Sequence, residues 1–473
     1  MWLGEGQAEA LRELQAARGL FAQLGVGEGK TLVCMIAPEL LQAERPVLVI
    51  PGSLRDECEA EFEKYRAAGW RVRMPHLVSY TDLGQRYNDE LLNSLDPDLL
   101  MLDEAWHARN LDAGCTRKLD RWITANPRCV VAVLAGTLIT SDLLDFHHLA
   151  VWALKDRAPV PLQRSEAERW AETVTPAYFD HFRGTRGVVT TPGSSCGASI
   201  EISWWRPTLP QVIQDAIAGV EQTGCRPDGE PLSDAQAVDC LQQLAGAGFY
   251  YVWDPMPPED WLIARRAWHA YERAIRDERL DGLDTTKQVE DALDLTPDAV
   301  PYSDTGRDLL HAWRAIEPSF KINRKPVWLD DSVLRQAVAF AREGDPCLVW
   351  TGHPAAGKRL RELGMPYYGA GQPPPRHGRE SIALSIDAHG VGRNLQAWRR
   401  GLALTIMANP EGWEQLIGRW HRKGQRADLV EVAIIDAIDY HRSTMSRVKY
   451  EARKDGRAAD LEQKLVRATW KRT

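Results

Sequence analysis

Three short stretches of this chain hold residue types suited to a triphosphate and its hydrolysis. The first is Gly27-Glu28-Gly29-Lys30-Thr31, followed by an apolar helical pattern from Leu32 to Leu41. Glycines let backbone N–H groups turn toward phosphate oxygens, and a helix start adds the positive end of its dipole. Lys30 adds a charge, and the Thr31 hydroxyl suits Mg2+. The second is Leu99-Leu100-Met101-Leu102-Asp103-Glu104-Ala105, an apolar run that ends in two acids. Such a strand puts its acids at the carboxyl edge of a sheet, where open α/β folds bind ligands. Asp103 then holds Mg2+ through water, and Glu104 polarises the attacking water. The third is Glu414 to Gln425, where apolar residues recur at helical spacing from Trp413. That spacing predicts one helix face for Gln415, Arg419 and Arg422. Two guanidiniums and an amide aimed one way suit a highly charged anion. Taken singly, the three stretches read as well as a glycine turn, a buried strand and a solvated basic face. Taken together they supply both halves of one site, because an arginine finger has a use only where a phosphate is held.

The elements needed to position these residues are present in the pattern. Residues 6–20 read as a helix, 46–51 and 129–137 as buried strands, 54–65 and 142–149 as helices. His147 and His148 have no Cys or carboxylate at metal-ligand spacing and are expected on a helix surface. Strand–helix alternation lapses from about Ala150 to Arg324, where Trp- and charge-rich helical stretches alternate with Gly- and Pro-rich loops. It resumes with a helix at 331–342 and strands at 346–350, 382–386 and 401–407, with a turn at Asn409-Pro410. Beyond Asp436 the chain turns basic, with Arg442, Arg447, Lys449, Arg453, Lys454 and Arg457. This tail fits a helix packed across the lobes or, equally, a solvated one.

The third stretch, Q-x-x-G-R-x-H-R-x-G-Q over residues 415–425, resembles motif VI of superfamily 2 helicases in the form used by Swi/Snf-type DNA translocases. Other motifs of that family follow in order along nearly the whole chain. Residues 24–31 resemble motif I, with Leu24 in place of a glycine, as in Swi/Snf-type relatives. Pro51-Gly52-Ser53-Leu54 resembles motif Ia, and Ser79-Tyr80-Thr81-Asp82-Leu83 the next small motif. Asp103-Glu104-Ala105 resembles motif II, with Trp106 where His is usual, which puts the usual polar link to later motifs in question. Ala135-Gly136-Thr137-Leu138-Ile139 resembles motif III, and 346–350 motif IV. Residues 387–395 resemble motif V, with His389 and Arg393 as departures.

The resemblance implies two RecA-like α/β lobes, 1–150 and 325–440, with a largely helical insertion at 151–324 and a basic helix at 441–473. It implies a nucleotide held by Gln7, Gly27, Glu28, Gly29, Lys30, Thr31 and Gly392, with Gln7 reading the adenine. Mg2+ is assigned to Thr31 and Asp103, and catalysis to Glu104, Gln415, Arg419 and Arg422. Contacts to DNA fall to Ser53, Gly136, Thr137, Gly390 and Asn394. The implied activity is a DNA-dependent ATPase that moves along double-stranded DNA without sequence preference, acting as a monomer in DNA repair or replication. Two other classes stay open: an RNA helicase of the DEAD or DEAH type, and a nucleotide-binding scaffold without motor activity.

Composition bounds these expectations. The 473 residues suggest three domains, or two with a large insertion. A net charge of −8 excludes a wholly basic nucleic-acid coat but allows a local basic groove. The eight cysteines form no C-x-x-C pair, which fits neither a zinc ribbon nor a disulfide framework and suits a reducing cytosol. The first residues carry no signal-peptide pattern, and no apolar run reaches membrane-spanning length. A soluble, cytoplasmic protein is expected.

Overall fold

The apolar runs of the sequence become strands covered on both faces. The computed structural model describes residues 2–25, 27–85, 88, 90–174, 178–191, 196–229, 232, 235–278, 283, 286–390, 393–461 and 463–471. In the first lobe these runs form β1 (Leu20–Gln23), β2 (Pro46–Ile50), β3 (His76–Ser79), β4 (Leu99–Asp103), β5 (Val130–Ala135) and β6 (Val188–Thr190). They pair in parallel in the order β3-β2-β4-β5-β1-β6. Side chains alternate across the sheet. Leu48, Ile50, Met101, Ala132 and Leu134 therefore enter one core, while Val47, Val49, Leu100, Leu102, Val131 and Val133 enter the other. Two covered faces explain why these strands read as unbroken hydrophobic runs.

The second sheet is also parallel. The chain reaches it through β7 (Ser199–Trp205), then forms an antiparallel pair from β8 (Phe249–Trp253) and β9 (Arg324–Trp328). It continues with β10 (Cys347–Thr351), β11 (Tyr367–Tyr368), β12 (Ile382–Ser385), β13 (Arg400–Ala403), β14 (Leu429–Ile435) and β15 (Thr469–Trp470). The order is β11-β12-β10-β13-β14-β7-β15. The fold is thus α/β with two parallel-sheet lobes, as the resemblance implied.

The sheets do not stop where the pattern suggested. Residues 151–324 were expected to be insertion and linker, yet β6 extends the first sheet beside β1, and β7 lies beside β14 inside the second. The crossover between sheets falls between Thr190 and Ser199. β6 has only three residues, and β7 alternates buried with half-covered side chains, so neither carries a continuous apolar run. The rest of the interval is largely helical. Helices Glu259–Asp277, Thr286–Leu295 and Ser303–Ile316 enclose a separate small core around Trp261, Trp268, Leu310 and Trp313.

The basic tail forms the helix Asp439–Ala459, and the chain then returns to the second sheet as β15. Met445 and Val448 of this helix enter the second lobe's core, whereas Ala458 and Ala459 enter the first lobe's. At 1.5 Å per residue the helix covers about 30 Å, enough to tie the two lobes together. His147 and His148, expected on a helix surface, are instead buried. Their Nε2 atoms lie 2.7 Å from the carbonyls of Pro161 and Ala108, so each ring is held in the core by one hydrogen bond. Among the described residues no helix is long and apolar enough to cross a membrane.

Candidate active site

The phosphate-type loop leaves the carboxyl end of β1 and ends at the helix Lys30–Leu41. Gly27 (φ 93°) and Gly29 (φ 75°) both adopt left-handed backbone, which glycine takes without a Cβ clash. A Cβ on Gly29 would lie 2.2 Å from Gln7 Nε2, so a side chain there would displace the Gln7 amide. Gln7 braces the loop. Its Nε2–H donates to the Gly29 carbonyl at 3.1 Å, and its Oε1 accepts from Gly4 N–H at 2.8 Å. Both ends of the amide assigned to adenine are therefore engaged within the protein. Lys30 is buried, with Nζ 3.6 Å from Glu104 Oε1 and 3.4 Å from the Leu24 carbonyl.

Asp103 closes β4 and Glu104 begins the turn after it. Glu104 adopts φ 49°, ψ 48°, a left-handed conformation that is strained for a residue with a side chain. The strain turns both carboxylates to the cleft. Asp103 Oδ1 accepts the Glu104 N–H at 2.9 Å, and Tyr80 Oη–H donates to the Asp103 carbonyl at 3.0 Å. Burial, and Glu104 beside it, push the Asp103 carboxyl up to about 7. Burial would also raise Glu104, but Lys30 and Arg419 more than offset it and hold its carboxyl below the ordinary value. Glu104 is thus the acid kept ionised at neutral pH. Among the described residues no group of three or more His, Cys, Asp or Glu is arranged to hold a metal alone. The donors at hand are Thr31 and Asp103, a set that fits Mg2+ arriving with the phosphates.

The second lobe contributes the turn after helix Pro410–Ile417. The sequence pattern placed Gln415, Arg419 and Arg422 on one helix face, but only Gln415 is helical. The helix stops at Ile417 because the next residues are drawn into the core. Trp420 stacks on Trp350 at 5.9 Å, and His421 Nε2 lies 2.8 Å from the Ala198 carbonyl. Packing overrides the helical pattern here, and the arginines converge by turns. Gln425, at the end of the stretch, closes the turn by donating to the carbonyls of Trp398 and Trp420, both at 2.9 Å.

The lobes meet through these side chains. Gln415 Nε2–H donates to Glu104 Oε2 at 3.1 Å, while its Oε1 accepts from Arg419 Nη2. Arg422 lies on the glycine loop, its Nε 3.1 Å from where a Gly27 Cβ would stand. Arg419 is buried, and burial with Arg422 nearby lowers its guanidinium to about 10. Beside them Arg109 pairs with buried Glu411 at 2.8 Å across the lobes.

One cleft brings together Gly27, Gly29, Lys30, Thr31, Asp103, Glu104, Arg419 and Arg422. Asn394, assigned to nucleic acid, lines this cleft too. Ser53 stands apart, exposed on the turn Gly52–Leu54 after β2. Gly136 and Thr137 follow β5, and buried Gly390 ends the short helix after β12; none of the three lines the cleft. Glu28 does not line it either. Gly392 lies outside the described residues. His389, the departure in motif V, is buried with Nε2 3.1 Å from the Gly369 carbonyl.

No family model and no curated protein matches this sequence.

Several contributors were not anticipated. Glu57 and Glu61, one turn apart on helix Arg55–Ala67, face the cleft with Cys58 between them. Burial raises both carboxyls, while Arg422 draws both down; Arg393 and Arg419 add to that pull on Glu57. Their i, i+4 spacing was the only available signal, and any solvated helix face shares it. Gln23, fully buried at the end of β1, accepts the N–H groups of Leu138 and Ile139 at 2.9 Å each and so fixes the loop after β5. Nothing in the sequence pattern marked it. Trp106, the departure in motif II, donates its indole N–H to Glu104 Oε2 at 3.2 Å.

Proposed function

We propose that the chain is an ATP hydrolase whose cleft closes on a nucleoside triphosphate, and that it uses the cycle to move along DNA. The observation that carries the reading is Arg422 of the second lobe resting on Gly27 of the first, beside Lys30 and Glu104. A cation delivered across a cleft onto a glycine loop has a phosphate as its natural partner.

The work of each residue follows from its position. The glycine loop and Lys30 bind the phosphates through N–H groups and charge. Lys30 must then exchange Glu104 for a phosphate oxygen. Mg2+, held by Thr31 and Asp103, would neutralise phosphate charge. Glu104, freed of Lys30, accepts a proton from the water that attacks the terminal phosphorus. Arg419 and Arg422 stabilise charge on the transferring group. They do so only when the lobes are closed, which couples hydrolysis to relative motion of the lobes.

DNA as the track rests on the resemblance and on the exposed turn that carries Ser53 after β2. ATPase rates without nucleic acid, with double-stranded DNA, with single-stranded DNA and with RNA test the reading. The greatest stimulation is expected with double-stranded DNA. Stimulation by RNA alone would point to an RNA helicase, and nucleotide binding without turnover under any condition to a scaffold.

A further inference from the structure

Trp106 stands behind the cleft, two residues after Glu104 and in contact with its carboxylate. Its indole N–H and the Gln415 amide donate to the same oxygen, Glu104 Oε2, at 3.2 and 3.1 Å. The other oxygen, Oε1, faces Lys30 Nζ at 3.6 Å. The indole is held in place by other rings. It stacks on His107 with centroids 3.8 Å apart, and His107 stacks on Tyr80 at 5.3 Å. Tyr80 in turn donates to the Asp103 carbonyl. Three rings thus clamp the turn in which Glu104 carries left-handed backbone.

The two donors to Oε2 differ in where they come from. Gln415 belongs to the second lobe and withdraws whenever the lobes part. Trp106 belongs to the same turn as Glu104 and stays with it. Resting on the hydrolytic role proposed for Glu104, we propose that Trp106 is a positioning residue: its indole N–H holds Oε2 through opening and closing, so that Oε1 alone takes the proton. In that step the water oxygen bonds to the terminal phosphorus, and its proton passes to Glu104 Oε1. The bond from that phosphorus to the bridging oxygen breaks, and ADP leaves with the electron pair. A carboxylate pinned at one oxygen presents the other in a fixed direction, which is the kind of orientation on which reaction rate depends steeply.

The contact and its consequence are tested separately. Protein labelled with 15N-tryptophan carries 18 indole N–H groups. Trp106→Phe identifies one resonance by its loss, and Glu104→Gln is expected to shift that same resonance. In turnover, Trp106→Phe keeps a flat ring but no donor. Its kcat is expected to fall about tenfold, the worth of one hydrogen bond to a charged group, with KM for ATP and nucleotide affinity near wild type. Trp106→His, which keeps a ring N–H, is expected to recover part of the loss. A normal kcat in Trp106→Phe overturns the proposal, as does an indole resonance indifferent to Glu104→Gln. Equal losses in both variants assign the effect to ring packing and overturn it too. If wild type lacks ATPase activity or Glu104→Gln retains it, the hydrolytic reading fails and this inference falls with it. An inactive Glu104→Gln beside a normal Trp106→Phe removes this inference alone.

Discussion

In the first lobe Lys30, Asp103 and Glu104 are placed by backbone: two left-handed glycines, a strand end and one strained turn. In the second lobe Arg419 and Arg422 follow an interrupted helix and are placed by side chains: Trp420 in the core, His421 on a carbonyl, Gln415 clasping Arg419. Backbone placement persists whether or not the lobes touch. The second lobe's own contacts persist too, but Gln415 on Glu104 and Arg422 on Gly27 reach across the cleft and exist only when the lobes touch. On the function proposed here, the first lobe holds a nucleotide at all times and the second acts on it in one state.

Arg422→Ala breaks this contrast most sharply. Turnover should fall about a thousandfold, the scale of an arginine supplied across an interface, with ATP affinity little changed. Steady-state rates and equilibrium binding of ATP check both halves, and Arg422→Lys should stay impaired because lysine lacks the planar fork. A rate within a few-fold of wild type would make Arg422 a bystander. Next is Trp420→Ala, which removes a fully buried indole from beneath the finger turn. It should cost about 3–5 kcal/mol of stability. Denaturant unfolding reads that loss, and the second lobe should account for it, since the first lobe's cores do not contain Trp420.

Arg109→Ala leaves buried Glu411 without its partner across the lobes. Because Arg109 is itself partly exposed, the closed state should weaken by only about 1–2 kcal/mol. Small-angle scattering without nucleotide should then show a larger average radius, and an unchanged radius would mean that other contacts hold the lobes. The smallest effect is expected at Glu57. Its carboxylate shares the cleft, where its charge opposes that of bound phosphates. Glu57→Gln should tighten ATP binding about fivefold, equivalent to ~1 kcal/mol for a partly screened charge. Weaker binding would show that Glu57 supports the site instead.

Much of the first lobe's share of the cleft was legible because it is contiguous. A glycine loop running into a helix, and an apolar strand running into two acids, declare themselves within eight residues each. The second lobe's share was legible in identity but not in shape. The spacing of Gln415, Arg419 and Arg422 suggested a helix, and the burial of Trp420 and His421 ended it. What stayed hidden depends on three-dimensional neighbours. β7 sits between β14 and β15, far from both in sequence, and only Ile200 and Ile202 of its side chains are buried. Glu57 and Glu61 look like ordinary helix-surface acids until β2 is seen beside β4. Gln23 matters only because Leu138 and Ile139 come to it from another strand.

The central claim, that Glu104 acts on a water at a phosphate held by the glycine loop, is tested most directly by Glu104→Gln. The measurement is ATP affinity and ATP turnover of one preparation, with double-stranded DNA present. ATP should bind at least as tightly as to wild type, because a negative charge beside the phosphates is removed, and turnover should be abolished because the proton acceptor is gone. Turnover near the wild-type rate would contradict it.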